Sequence, residues 1–194
     1  MRKIIWTCFM VGAALLAGCA RDDAMPSDPY DPLRVDQKDI MEMELLGATS
    51  GHTIDARVKE SDVPIKIHVA DVMAPLKGQP WSSEATAALD ALVKGKHARV
   101  KVFQSFREPN VVSTIGRVNV DGKDIGWQLV GNGNAWVWES KSNDKELKKL
   151  QAWAQQHKMG LWALPESQRQ PPWQVLDERV KERLKEPGEK QPEQ

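Results

Sequence analysis

Three short β-rich segments in succession, at about 41–47, 52–58 and 64–72, constrain the fold of this chain more than any other feature. Gly47, Gly51 and Pro64 punctuate them, so the chain turns before any strand grows long. Pro80-Trp81-Ser82-Ser83-Glu84 then opens a helix in which Ala85, Ala88, Leu89, Leu92 and Val93 share one face, and Gly95 closes it. Strand signals return at about 97–103 and 115–120, followed by a turn at Asp121-Gly122, a short helix over Ile125–Val130 ending in Gly131, and a strand at Ala135–Trp138. Asn143 and Glu146 have capping-box spacing, which predicts a helix running to about Lys158. Gly160 is expected to supply its left-handed stop and Leu161-Trp162 an apolar pair that drops onto the core. After Pro171-Pro172, residues Trp173, Leu176, Val180 and Leu184 recur at helical spacing, with Asp177 one turn before Lys181. That pattern predicts a last amphipathic helix.

The N-terminus is of a different kind. Arg2 and Lys3 precede an apolar run from Ile4 to Leu16, and Ala17 and Gly18 stand directly before Cys19. This is the layout of an export signal, and the run falls short of the ~20 residues that cross a bilayer. Leu16-Ala17-Gly18-Cys19 resembles the bacterial lipobox. The resemblance implies that residues 1–18 are a lipoprotein signal peptide and that Cys19 carries acyl chains, palmitate among them. Several chains on one cysteine anchor stably, whereas a single chain binds only marginally. Ala20 is not the Asp that commonly retains lipoproteins at an inner membrane, so the expectation is the envelope of a bacterium, on the periplasmic side of the outer membrane where there are two.

Cys8 leaves with the signal and Cys19 is consumed by lipid, so no thiol remains for a disulfide or a metal. Stability must then come from packing. Residues 19–39, interrupted by Pro26, Pro29 and Pro32, are read as a lipidated start and a disordered tether. One domain is expected over 40–165, and residues 166–194 give the C-terminal helix and a tail that is disordered beyond Pro187. Losing Arg2 and Lys3 leaves 25 basic against 27 acidic residues. A protein that grips phosphates usually carries a basic balance or stripe, so nucleic acid is a possible partner but not the favoured one.

Several local words carry a sharper likeness. They are Gly51-His52-Thr53-Ile54, the run from Ile67 to Leu76, Gly78-Gln79-Pro80-Trp81, Glu84-Ala85, Ile115-Gly116-Arg117, Ala135-Trp136-Val137 and Gly160-Leu161-Trp162-Ala163. Together they resemble the staphylococcal nuclease (thermonuclease) family over about residues 41–165, and Pro172-Trp173 resembles a tail common among bacterial members. The resemblance implies a mainly β, α+β fold: a five-stranded OB-fold barrel with about three helices and a C-terminal amphipathic helix.

The family's activity is calcium-dependent cleavage of DNA and RNA phosphodiesters, and its reacting groups can be followed position by position. A calcium-binding Asp of the family falls on His52. Its phosphate-clamping Arg falls on His68, its second calcium-binding Asp on Met73, and the Glu proposed to activate water on Leu76. Calcium demands oxygen ligands, and a thioether and an isobutyl group neither hold it nor accept a proton. Ser113-Thr114-Ile115-Gly116-Arg117 keeps the family's transition-state arginine as Arg117 without its tyrosine neighbour, and two substrate-contacting tyrosines fall on Glu139 and Lys141. No cofactor is expected, because the calcium site is degenerate.

His52 and His68 could together hold a transition metal, for which imidazole is a good ligand. Asp55 and Asp71 lie nearby in sequence, but the set falls short of a recognised zinc spacing. The favoured reading is two partly exposed polar substitutions. Lys94, Lys96, Arg99, Lys101 and Arg107 form the only local basic concentration, which could attract phosphates or anionic headgroups, but the favoured reading is the solvated face of a strand. Trp81, Trp127, Trp136, Trp153, Trp162 and Trp173 are expected in core or seam packing, whereas Trp138 is kept open as a binding residue. The functional expectation is a membrane-anchored, monomeric pseudoenzyme serving as a binding or scaffolding module for an envelope partner. The alternative is a metal-dependent phosphodiesterase acting on DNA or RNA with a non-standard site.

Overall fold

The computed structural model describes residues 40–58, 63–108 and 110–185. The signal segment, Cys19, the tether to Asp39 and the tail beyond Pro187 lie outside them. Elements run in the order β1 (Ile40–Ser50), β2 (Thr53–Val58), β3 (Pro64–Val69), β4 (Val72–Met73), α1 (Ser82–Val93), β5 (His97–Glu108), β6 (Val111–Val120), β7 (Lys123–Asp124), α2 (Ile125–Gly131), β8 (Trp136–Val137), α3 (Lys145–Gln156) and α4 (Pro172–Lys185). Short 3-10 turns at Gly160–Ala163 and Glu166–Gln168 link the last two helices.

β1 pairs with β2 along its second half and with β5 along its first, all antiparallel. β2 continues to β3, and β3 meets β6 in parallel, which closes a five-stranded barrel because β6 also pairs with β5. Closure removes the free strand edges that an open sheet would present. β1 continues past Gly47, beyond its expected end, because register shifts at Leu45/Gly47 and Ala48/Ser50 bend it from one partner to the other. The β5–β6 hairpin is also longer than expected. Its outer part, from Gln104 to Thr114, interleaves polar residues with the apolar ones and so hides the alternation.

The barrel is filled by Leu45, Ile54, Ile67, Val100 and Val118, and α1 caps it with Ala85, Leu89 and Val93. Leu129 of α2 and Leu147 and Leu150 of α3 extend the same core. A second apolar cluster gathers Trp136, Ala154, Leu161 and Trp162, with Trp153 and Trp173 against it. Trp136 and Trp162 meet edge to face at 5.6 Å, a favoured aromatic geometry. Six of the seven domain tryptophans therefore pack in the two clusters or against them, as their positions suggested.

Three local expectations are corrected. The cap of α3 is Asp144, not Asn143: its Oδ1 accepts the Glu146 and Leu147 N–H groups at 2.9 and 3.1 Å. α3 stops at Gln156, and Lys158 at φ 52° provides the left-handed turn, while Met159 N–H returns to the Ala154 carbonyl at 2.9 Å. Gly160 is left-handed for another reason, since its backbone lies directly on that of Gly133 and the Leu161 N–H donates to the Gly133 carbonyl at 2.8 Å. In α4, Trp173 packs on the second cluster but Leu176 and Val180 remain exposed, so its apolar stripe is only partly used.

Candidate functional site

A cleft of about 510 Å³ opens beside the barrel where β3, β5, β6 and the segment after β8 meet. His52 and His68 both line it, with Met73, Phe103, Phe106 and Trp138. Two other hollows, one bordered by His97 and Asp121 and one by Ser50 and Asp90, contain neither histidine. Register explains the convergence. Thr53 lies opposite His68 across the β2–β3 pair, which puts His52, at the turn before β2, next to the end of β3.

The histidines are held by different neighbours. Ala74 N–H donates to His52 Nδ1 at 3.3 Å, and His68 Nδ1 lies 3.2 Å from the Thr53 hydroxyl. With its Nδ1 lone pair engaged, neutral His52 carries its proton on Nε2. Burial, followed by the charge of His68, pushes the His52 pKa down to about 4. The ring is therefore neutral across the ordinary range and presents a hydrogen-bond donor. Among the described residues no group of three or more His, Cys, Asp or Glu side chains is placed to hold a metal ion. Met73 is buried beside the cleft yet belongs to neither apolar cluster. Imidazole, thioether and, at Leu76, an aliphatic side chain do not fit calcium, a hard cation that takes oxygen ligands.

Arg117 borders the cleft through Asp71, which lines it. Its Nη2 lies 2.8 Å from Asp144 Oδ2 and 3.3 Å from Asp71 Oδ2, and its Nε lies 3.5 Å from Asp124 Oδ2. Asp124 caps α2, its Oδ1 accepting the Trp127 N–H at 3.0 Å, and Asp144 caps α3 in the same way. Each cap therefore spends one oxygen on its helix and turns the other to Arg117. Burial works against the guanidinium charge, but Asp124, Asp144 and Asp71 outweigh it and raise the Arg117 pKa. Burial likewise works against the Asp144 carboxylate, yet the Leu147 N–H and Arg117 hold its pKa below the usual range.

Of the remaining sequence candidates, Trp138 lines the cleft with the Lys141 ammonium 5.8 Å from its ring centroid, whereas Glu139 is exposed. The basic stretch divides among separate partners: Lys94 pairs with Asp90, Lys96 with Asp121, and Lys101 sits over Phe103. Phe103 and Phe106 are the cleft residues that sequence reading passed over. Their strand is legible, but the register shift between Val102 and Gln104 that turns it is not. Asp124 and Asp144 carry a readable signal, an acidic residue immediately before a helix.

A closed five-stranded barrel with helices across one end and a side cleft between β3 and the β5–β6 hairpin defines a nuclease-type OB-fold domain. Residues 56–164 match the family described as staphylococcal nuclease homologue, and the chain belongs to that family. An uncharacterised endonuclease of Escherichia coli is 34% identical over 124 residues, covering 63% of this chain and 76% of the relative. One of Haemophilus influenzae is 25% identical over 162 residues, covering 84% and 79%. A staphylococcal-like nuclease of Arabidopsis thaliana is 28% identical over 109 residues, 56% of this chain and 32% of the plant protein.

Proposed function

We propose that this chain is an envelope lipoprotein, anchored through Cys19, whose nuclease-type domain has given up calcium-dependent cleavage and serves as a binding module. The observation that carries this reading is the placement of Arg117. A guanidinium that stabilises a phosphoryl transition state has to face the substrate with charge to spare, and this one is spent on three carboxylates. His52, Met73 and Leu76 stand where the family resemblance requires metal ligands and a base, and among the described residues no group of three or more His, Cys, Asp or Glu side chains is placed to hold a metal ion. Without those groups the barrel keeps a cleft with aromatic walls and hydrogen-bonding histidines, a surface suited to binding.

The second reading is a phosphodiesterase that uses a transition metal at His52 and His68. Two observations favour it: both rings line one cleft, and relatives bear the name endonuclease. One experiment separates the two. The chain without residues 1–19 is incubated with single- and double-stranded DNA and with RNA in calcium, magnesium, manganese and zinc. No cleavage in any metal is the expected result. Metal-dependent cleavage abolished by both His52→Ala and His68→Ala, in variants that remain folded, establishes the second reading instead.

A further inference from the structure

The two phenylalanines of the domain are both on the surface. Phe103 is 53% exposed and Phe106 39%, while Trp127, Trp136 and Trp162 are buried. The register shift between Val102 and Gln104 produces this arrangement. Before it, Val100 lies opposite Val118 inside the barrel; after it, Gln104 lies opposite Ile115 and Phe106 opposite Ser113, on the side that borders the cleft. Two of the three aromatic groups of the rim have a cation beside them. Lys101 Nζ is 5.9 Å from the Phe103 ring centroid and Lys141 Nζ is 5.8 Å from that of Trp138. Two acids stand here as well: Glu139 is exposed beside Trp138, and Asp71, paired with Arg117, lines the cleft. The chain also enters the barrel here, because Ile40 pairs with Lys101, two residues before Phe103.

We propose that this rim is a membrane-docking face, with Phe103 and Phe106 entering the interfacial layer of an anionic bilayer and Lys101 and Lys141 meeting its headgroups. Phenylalanine has no polar group to satisfy and gains by leaving water, while lysine keeps its charge at the surface above an apolar base. Each basic residue near an anionic leaflet adds attraction of the same sign. Nucleic acid is the less favoured occupant, because Arg117 is committed to its carboxylates and is not among the residues that line the cleft. The proposal rests on the tethered reading, and the first described residue, Ile40, lies on this side of the barrel.

The test uses the chain without residues 1–19, which keeps every described element (residues 40–185) and has no lipid of its own. Its sedimentation with phosphatidylglycerol vesicles and with phosphatidylcholine vesicles is compared. Preference for phosphatidylglycerol is expected. Phe103→Ser with Phe106→Ser should weaken that binding about tenfold, as should Lys101→Gln with Lys141→Gln, while circular dichroism and melting stay as in the parent because all four side chains are partly or fully exposed. Failure to bind phosphatidylglycerol, or sedimentation unchanged by the phenylalanine pair, overturns the proposal. So does an oligonucleotide that binds this rim while vesicles do not. Intact mass of the membrane-extracted chain reads the Cys19 lipid separately, so loss of the anchor reading and loss of the docking face are distinguishable.

Discussion

Arg117 Nη2 lies 2.8 Å from Asp144 Oδ2, and the other oxygen of the same carboxylate caps α3. With Asp124 doing the same for α2, one arginine ties the starts of two helices to the barrel. The residue that the family resemblance would aim at phosphate is here a staple in the fold.

Arg117→Ala should therefore damage stability. Removing Arg117 from this partly buried cluster leaves the buried Asp124 carboxylate uncompensated and costs about 1–3 kcal/mol. Arg117→Lys should recover only part, because an ammonium is a single point and cannot fork among three carboxylates. Urea unfolding measures both. An alanine variant as stable as the parent would remove the staple from the account.

Acid should weaken the fold as the pH falls below about 6.5. His52 has a folded pKa of about 4 against an ordinary 6.5, so between those values the unfolded chain binds a proton that the folded chain refuses. The stability is fully present above about 6.5 and falls with pH toward about 4, by up to about 3 kcal/mol. The lowered Asp144 pKa adds a further loss below the ordinary carboxylate range. Urea midpoints at several pH values should show the slope, and His52→Gln should flatten it between 6.5 and 4.

Backbone contact makes Gly133 and Gly160 unequal to other left-handed glycines. A Cβ on Gly133 would collide with the Met159 carbonyl, and one on Gly160 with the Gly133 carbonyl. Gly95 has a similar φ of 71° with open space around it. Gly95→Ala should cost about 1 kcal/mol, the intrinsic left-handed penalty, and Gly160→Ala several times that, about 3 kcal/mol or more. Thermal melts of the pair decide the matter, and equal shifts would contradict the close contact.

Cys19→Ser should abolish incorporation of labelled palmitate and move most of the chain out of the membrane fraction, since acyl chains would be its covalent anchor. Residual membrane association of this variant should then depend on Phe103 and Phe106. Full membrane retention without label would show that the anchor lies elsewhere.

Much of the architecture was legible because barrel strands and amphipathic helices repeat with fixed periods. Alternation located β2 and β3, the Ala85-Leu89-Val93 face located α1, and the family words located the rest. The mistakes fell where a local signal competes with its neighbour. Asn143 and Asp144 are both good caps, and only the path of the chain into α3 selected Asp144. Lys158 and Gly160 can both turn left-handed, and the end of α3 selected Lys158. Phe103 and Phe106 were missed because a bulge changes which way a strand's residues point without changing their order.

By itself, the sequence determined what is covalent and positional: an apolar run before Cys19, no other thiol after it, and His52, His68, Met73 and Leu76 where the family resemblance implies acids, a clamp and a base. Only the tertiary structure decided what the retained Arg117 does. Asp71 and Asp144 are 46 and 27 residues away from it in the chain and reach it because β3 closes against β6 and the two helix starts converge there. Charge interactions depend on distance in space and on exclusion of water, and neither is written in the spacing of residues along the chain.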